Sequence, residues 1–222
     1  MKYLFVGDPL CSWCYGFAKE LGEARVLLPG FDFDIKVAGL WAGGRDVLDD
    51  QAKRFRLGHW ERVEAAAGVP FNRDALWNRQ NFVYDTGPIS RAFIAGKQLL
   101  PGLDQLALFR ALQQAFYVDG LDTTSGNVLA GVVQQALTEQ GLNLPESAIL
   151  GLIKSSEIVS KTQAEFELVR SWGLRSFPQL LCLDGERVSI LHSGFEKAAQ
   201  IVSRITLALP HPIEQVTSCP TS

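Results

Sequence analysis

The segment Tyr3-Leu-Phe-Val-Gly-Asp-Pro-Leu-Cys-Ser-Trp-Cys14 decides the fold of this chain. Its first five residues are aromatic or aliphatic apart from a closing glycine, which predicts a short buried strand. Asp8-Pro9 ends the strand, because proline supplies no hydrogen bond to a neighbouring strand. A helical pattern then begins at Cys11 or Ser12 and continues to about Leu28. The two cysteines are therefore predicted to lie at a strand-to-helix turn.

The elements on either side of a long helical block match the two halves of a known fold. Alternation of apolar residues over 33–37 predicts a second strand, and a later strand (179–183), a hairpin turn, a strand (188–192) and a helix (196–208) close the chain. Between them lie helical patterns at about 45–68, 87–100, 104–118, 125–141, 145–156 and 159–173. This order predicts an α/β protein with a thioredoxin fold that carries an inserted all-helical domain. Residues 1–40 and 174–209 form the discontinuous thioredoxin-like domain, residues 41–173 form the insertion, and residues 210–222 form a tail.

Composition narrows the class of protein. Hydrophobic residues make up 47% and charged residues 20% of the chain, which is typical of a soluble globular protein. A net charge of −3 offers no basic field for a phosphate backbone, so we expect no nucleic acid partner. No apolar run approaches the roughly 20 residues that span a membrane, and the N-terminus does not read as an export signal. The sequence predicts a cytoplasmic protein, where cysteines serve chemistry more often than structural disulfides.

The placement of Cys11 and Cys14 predicts thiol–disulfide chemistry. The first turn of a helix favours a thiolate, through free N–H groups and the positive end of the helix dipole. The spacing lets Cys14 fold back on the first turn and close a disulfide with Cys11. Pro178 directly precedes a later strand, where a thioredoxin-like fold places a cis peptide facing the cysteine pair. We therefore expect Cys11 to attack, Cys14 to resolve the mixed disulfide, and the backbone at Pro178 to hold substrate by strand-like hydrogen bonds.

A zinc site is the main alternative for the same Cys-x-x-Cys spacing, and inert packing is another. Zinc would need two further ligands converging on the pair. The other cysteines and the histidines are not grouped at metal spacing: Cys182, Cys219, His59, His192 and His211. Redox chemistry is therefore favoured over metal binding. We interpret Cys182 as a small buried hydrophobe, and the role of Cys219 in the tail stays open.

Other residues near the motif have a functional and a structural interpretation. Trp13 is expected to be exposed at the turn, either as an apolar rim for substrate or packed on the helical block. Asp8 either relays protons for Cys14 or, as is commoner, is a turn or N-cap residue. The remaining tryptophans are expected in the core, and the charged stretch 54–62 is interpreted as a solvated helix face.

The motif residues resemble a known family. Asp8-Pro-Leu-Cys-Ser-Trp-Cys-Tyr-Gly16 resembles the active-site segment of DsbA-family thioredoxin-fold proteins, especially the FrnE-like cytoplasmic branch. Residues 106–122 are similar to that family's helical insertion, as are residues 84–88 with Arg91-Ala92. Ser176-Phe177-Pro178 matches the cis-proline loop. The resemblance covers nearly the whole chain up to about residue 208.

The resemblance implies a disulfide oxidoreductase or isomerase. It assigns the nucleophile to Cys11, the resolving role to Cys14 and the substrate clamp to Pro178. Trp13 and Phe177, which lie next to these residues in sequence, are further candidate substrate contacts. Two positions depart from the family pattern. Ser12 stands where proline is usual, and Phe177 stands where smaller or β-branched residues are commoner. Both positions tune the redox potential, so the direction of electron flow stays open.

Two other functions remain compatible with this architecture. Kappa-class glutathione transferases and 2-hydroxychromene-2-carboxylate isomerases share the fold and bind glutathione, but they characteristically carry serine at the position of Cys11. A peptide- or metal-binding module without catalysis is the third. For the leading function we expect no cofactor beyond the cysteines, with glutathione as a possible electron donor. The expected partners are protein or peptide thiols and disulfides, or glutathione, without a membrane and in an undetermined oligomeric state.

Overall fold

A computed structural model of the chain describes residues 2–185 and 187–208, so the predicted tail with His211 and Cys219 lies outside the described residues. Four strands form one sheet: β1 (Lys2–Gly7), β2 (Phe33–Val37), β3 (Gln179–Asp184) and β4 (Arg187–Ser193). Their order is β2-β1-β3-β4, with β1 parallel to β2 and antiparallel to β3, and β3 antiparallel to β4. The predicted thioredoxin arrangement is confirmed.

The predicted helices are also present in the described residues, together with one short helix that was not predicted. They are α1 (Ser12–Leu27), α2 (Asp50–Ala67), α3 (Arg73–Trp77), α4 (Gly87–Leu99), α5 (Gln105–Tyr117), α6 (Gly126–Glu139), α7 (Glu146–Ile153), α8 (Ser156–Ser171) and α9 (Ala198–Ala208). None of these helices is long and apolar enough to cross a membrane.

Two helical details differ from the sequence prediction. The helix predicted from about residue 45 begins at Asp50, because the Asp49 side chain accepts a hydrogen bond from the backbone N–H of Ala52 at 2.7 Å and caps the helix there. Helix α3 was not predicted. It has only five residues, too few for a helical period to be visible, and it is capped by Asn72.

The insertion packs directly on the sheet. The ring of Phe5 on β1 lies 5.6 Å from that of Phe17 on α1 and 5.3 Å from that of Phe109 on α5, centroid to centroid. The opposite face of β1 packs through Leu4 against a smaller cluster that includes Val169 of α8. Both faces of the sheet are therefore covered, and one hydrophobic cluster runs through both predicted domains. The domain boundaries themselves stay a prediction.

The insertion also covers one edge of the sheet. The backbone N–H of Ile35 donates to Gln105 at 2.9 Å, and the N–H of Val37 donates to Glu165 at 2.8 Å. These side chains occupy N–H groups of β2 that would otherwise be open to another strand. They also hold the insertion at a fixed position beside β1, which leads into the cysteine turn.

Candidate active site

The cysteine turn follows β1 directly and opens α1. Cys11 is the N-cap residue, with extended backbone angles (φ −85°, ψ 114°), and its carbonyl accepts the N–H of Tyr15 at 3.0 Å. Its own N–H donates to the carbonyl of Asp8 at 3.0 Å. The predicted position of Cys11 at the start of a helix is confirmed. Asp8 is therefore not the N-cap of α1.

Both cysteines are unpaired thiols, and they differ in exposure. Cys11 is 6% exposed and Cys14 is fully buried, so Cys11 presents the more accessible sulfur. Burial raises the pKa of the Cys14 thiol well above its usual range, and the hydrogen bond to Cys11 raises this pKa further. A Cβ atom on Gly7 would lie 2.7 Å from the ring of Phe5 and 3.2 Å from the Cys14 sulfur. Glycine at the end of β1 thus makes room for the buried thiol.

The loop before β3 faces the cysteines. The Phe177–Pro178 peptide bond is cis, as the sequence predicted. The Cys11 thiol donates to the carbonyl oxygen of Phe177 across 3.8 Å. Because β3 pairs antiparallel with β1, the loop that leads into β3 and the turn that follows β1 lie at the same end of these two strands. This pairing is what brings residues so distant in sequence together.

Asp8 is a fully buried turn residue beneath the cysteines. One carboxylate oxygen accepts the N–H of Leu10 at 2.9 Å, and the other accepts the N–H of Leu40 at 2.7 Å. Burial raises the pKa of Asp8 to about 6, outweighing these hydrogen bonds and one from Thr86 that lower it. The charge on Asp8 in turn raises the pKa of Cys14. The carboxyl group can therefore gain or lose a proton close to neutral pH.

Trp13 is half-buried, so the prediction of an exposed side chain is wrong. Its ring packs on that of Phe195, with centroids 5.8 Å apart. Phe195 belongs to the segment before α9, so this contact of Trp13 lies within the thioredoxin-like part. Trp13 also lines the cleft described next.

A cleft of about 320 Å³ opens beside Cys11, between the cysteine turn and the insertion. Its walls are mainly aromatic and aliphatic: Leu10, Trp13, Leu40, Trp41, Phe55, Trp60, Tyr84 and Phe177. Three basic side chains also line it: Arg56, His59 and Arg175. Burial lowers the pKa of His59, and nearby Arg62 and Arg56 add to this effect. The two arginines therefore supply most of the positive charge.

Several cleft residues were missed or misread from sequence. Phe55 and Arg56 fall in the stretch interpreted as a solvated helix face, yet both line the cleft. Trp41, expected in the core, is 37% exposed. The available sequence signal was the phenylalanine Phe55 between two arginines in a charged helix, because a large apolar side chain exposed on a polar helix face often marks a binding surface. Arg175 gave no signal of its own.

Tyr84 positions the cysteine turn. Its hydroxyl donates to the backbone carbonyl of Leu10 at 2.7 Å, although the two residues are 74 apart in sequence. The guanidinium of Arg56 lies 4.2 Å from the centre of the Tyr84 ring. Burial raises the pKa of Tyr84, so it remains a hydrogen-bond donor. Tyr84 thus ties the insertion to the residue before Cys11.

Possible metal ligands do not converge on the cysteine pair. Within residues 2–185 and 187–208, no three His, Cys, Asp or Glu side chains are grouped closely enough to hold a metal ion. His192 instead lies 3.3 Å from Glu196, and Cys182 is buried in β3 beside the strand partner Tyr3. The described site offers two thiols and one buried carboxyl group.

Comparison with solved structures finds several proteins that share the fold of this chain. No protein-family model matches the sequence, and the curated proteins give no match. Among solved structures, a candidate protein disulfide isomerase from Nitrosomonas europaea is 27% identical, with 93% of this chain and 97% of that chain covered and a TM-score of 0.78. The cytosolic disulfide reductase DsbM from Pseudomonas aeruginosa, also solved with GSH, is 21% identical over 93% of this chain and 97% of that one, with a TM-score of 0.70.

A third structure, a 2-hydroxychromene-2-carboxylate isomerase, is 15% identical over 93% of this chain and 95% of that chain, with a TM-score of 0.63. The two structures below 25% identity share the fold with this chain. The fold therefore hosts both disulfide exchange and isomerase chemistry, and the choice between them depends on the residues at the turn.

Proposed function

We propose that this chain, a DsbA-like thioredoxin-fold protein, exchanges disulfides with thiol substrates through Cys11 and Cys14. One observation carries the proposal: two unpaired thiols lie at a helix N-terminus, facing a cis proline, beside an apolar cleft. Each sulfur has a distinct environment, since Cys11 borders the cleft and Cys14 is buried beneath it. This difference suits an attacking and a resolving thiol.

The reaction proceeds in two balanced steps in the reductive direction. The Cys11 thiolate attacks a substrate disulfide, forms a mixed disulfide with one substrate sulfur and releases the other as a thiolate that takes up a proton. Cys14 then loses its proton and attacks the Cys11 sulfur. This step forms the Cys11–Cys14 disulfide and releases the second substrate thiol. The cysteine pair has supplied two electrons, and two molecules of a donor thiol restore it.

Asp8 is proposed to accept the proton of Cys14 in the second step. The carboxyl group is buried below the same turn, and its pKa of about 6 leaves it mainly ionised at neutral pH. A general base whose pKa lies near the working pH is well matched to this task. The backbone hydrogen bonds from Leu10 and Leu40 hold the carboxylate in place.

The cleft is proposed to hold the substrate segment that reacts with Cys11. Trp13 and Phe177 supply apolar contact beside the sulfur, and the backbone at Pro178 offers strand-like hydrogen bonding. Apolar walls with a few placed polar groups are typical of ligand sites. The substrates are protein or peptide disulfides in the cytoplasm.

Glutathione is proposed as the electron donor. DsbM, a structure of the same fold, has been solved with GSH. Here Arg56 and Arg175 line the cleft beside Cys11, and arginine suits the carboxylate groups of a peptide thiol. The same arginines are also what favours the second candidate function, a glutathione-dependent transferase or isomerase. The pair of cysteines, in place of a serine, favours disulfide exchange.

The function is tested by glutathione-dependent reduction of insulin with the wild type, Cys11→Ser and Cys14→Ser. We expect the wild type to be active, Cys11→Ser to be inactive and Cys14→Ser to be strongly impaired. Equal activity of all three proteins would overturn the proposal. If Cys11→Ser conjugates glutathione to an electrophilic substrate, or isomerises a chromene carboxylate in the presence of glutathione, the transferase or isomerase function is supported instead. Stoichiometric zinc in the reduced protein would support a metal-binding module.

A further inference from the structure

The cleft beside Cys11 continues into a second one. The second cleft has a volume of about 520 Å³ and lies between the end of α8 and the loop after β2. The two clefts share Leu40, Arg175 and Phe177 as lining residues, so they adjoin. Together they form one groove from α2, past Cys11, to Arg170 at the end of α8. We call this the arginine groove, after Arg56, Arg175 and Arg170.

The charge of the groove is opposite to that of the whole protein. The net charge of the chain is −3, yet no aspartate or glutamate of the described chain lines either cleft. The nearby carboxyl group of Asp8 is fully buried and bonded to backbone N–H groups. A concave surface lined by one sign of charge concentrates ligands of the other sign.

In the part of the chain that the structure describes, none of the three arginines is neutralised by a carboxylate, although Arg56 Nη1 donates to the backbone carbonyl of Ala52 at 3.2 Å. Within the described residues, none of them forms an ion pair with a carboxylate: the arginine ion pairs found there involve Arg25, Arg54, Arg73 and Arg204. Arg170 and Arg175 are exposed. Arg56 is held in place, with its guanidinium 4.2 Å from the Tyr84 ring centre and 5.7 Å from the Trp41 ring centre. Its Nε atom is buried and has no partner.

We infer that the arginine groove binds an extended acidic segment of a polypeptide substrate, whose cysteine reaches Cys11. The inference rests on the proposed disulfide exchange and adds the class of substrate. Arg56 lines the first cleft together with Cys11, and Arg170 lines the adjoining cleft together with Phe177, so acidic residues at separate positions of the substrate segment can each meet a guanidinium. A guanidinium group binds a carboxylate through two parallel N–H···O hydrogen bonds, that is, in a bidentate geometry. The length of the joined groove favours an extended segment over a single small thiol.

The expected selectivity is moderate and depends on salt. An exposed ion pair changes affinity by about 1.4- to fivefold, so three pairs give roughly threefold or more at low ionic strength. Selectivity from exposed charges falls as salt is added. An apolar preference would not fall in this way.

The test uses peptides of equal length with one cysteine, held as a mixed disulfide with a neutral small thiol. The cysteine is flanked on both sides by glutamate, glutamine or lysine, and oxidised glutathione serves as a small anionic comparator. We expect kcat/KM for the wild type to fall from the acidic to the neutral to the basic peptide, and the ratios to shrink at high salt. The acidic peptide should also exceed oxidised glutathione.

Matched variants separate local from overall charge. Arg170→Gln with Arg175→Gln should lower the ratio of acidic to neutral peptide severalfold and leave only the contribution of Arg56. Arg62→Gln with Arg187→Gln removes the same charge from exposed positions outside both clefts and should keep the ratio. Equal rates for the three peptides, an equal loss of the ratio in the control pair, or no advantage over oxidised glutathione would overturn the inference. Failure of the wild type to reduce any peptide would overturn the proposed function instead.

Discussion

The sulfur of Cys11 lies 3.8 Å from the carbonyl oxygen of Phe177, a residue 166 positions later in the chain. This contact joins the turn after β1 to the loop before β3, two strands that pair in the sheet. Any group bonded to the Cys11 sulfur must therefore run beside the loop that carries Pro178.

The free energy of unfolding should depend on the ionisation of Asp8. Its pKa in the folded protein is about 6, above the ordinary value of 3.8, so the native state binds more protons between these pH values. Stability should therefore fall as the pH rises from about 4 to about 6 and level off above this window. The loss is on the order of 3 kcal/mol, because each pH unit between the two pKa values corresponds to about 1.4 kcal/mol. Urea denaturation across the pH range measures it.

Asp8→Asn supplies the control for that measurement, because asparagine does not titrate. The variant should show no fall in stability between pH 4 and 6, whatever its absolute stability. If Asp8→Asn loses the same stability between pH 4 and 6 as the wild type, the loss comes from another titrating group.

Asp8→Asn should also slow the second chemical step. If the carboxylate accepts the Cys14 proton, its loss should reduce the rate of resolution about a hundredfold at neutral pH, the lower range for general base catalysis. The attack of Cys11 should change far less. Stopped-flow measurement of mixed-disulfide formation and decay separates the two steps. An unchanged decay rate, and an unchanged pH profile for decay, would contradict the role of Asp8.

Two glycines of α1 provide a matched test of the packing behind the cysteines. A Cβ atom on Gly16 would lie 2.9 Å from the Cβ of Ala67 and 3.0 Å from Val63, whereas at Gly22 the nearest atom is 3.5 Å away, on Arg110. Gly22→Ala should stabilise the protein by about 0.5–1 kcal/mol through helix propensity. Gly16→Ala should destabilise it by about 1–3 kcal/mol through overpacking. Thermal unfolding of both variants checks this, and equal effects would show that α2 does not pack tightly on α1.

Much of the fold could be predicted because local patterns and tertiary structure agree. The apolar run of β1, the break at Asp8-Pro9 and the helical period after Cys11 together place the cysteines at a strand-to-helix turn, as found. Pro178 at the head of a strand predicted the cis peptide opposite. The start of α2 was predicted too early because the N-cap role of Asp49 was overlooked, although aspartate before a helical pattern is a local sequence signal. Helix α3 was too short for its period to be seen.

The cleft could not be predicted in the same way, because its walls come from distant segments. Arg56, Tyr84 and Arg175 meet beside Cys11 only after the insertion has packed on the sheet. Similarly, Trp13 finds its partner Phe195 across the fold, and nothing near Trp13 in sequence indicates that contact. Periodicity identifies which face of a helix is buried, but it does not identify the partner that this face meets.

The central claim is that Cys11 attacks and Cys14 resolves, and mass spectrometry of trapped intermediates tests it most directly. Cys14→Ser, incubated with a disulfide-bonded peptide, should accumulate a stoichiometric mixed disulfide, and peptide mapping should place it on Cys11. Reductant should release it, and Cys11→Ser should trap far less. A mixed disulfide located on Cys14 or Cys182, or no accumulation in Cys14→Ser while the wild type turns over, would contradict the account.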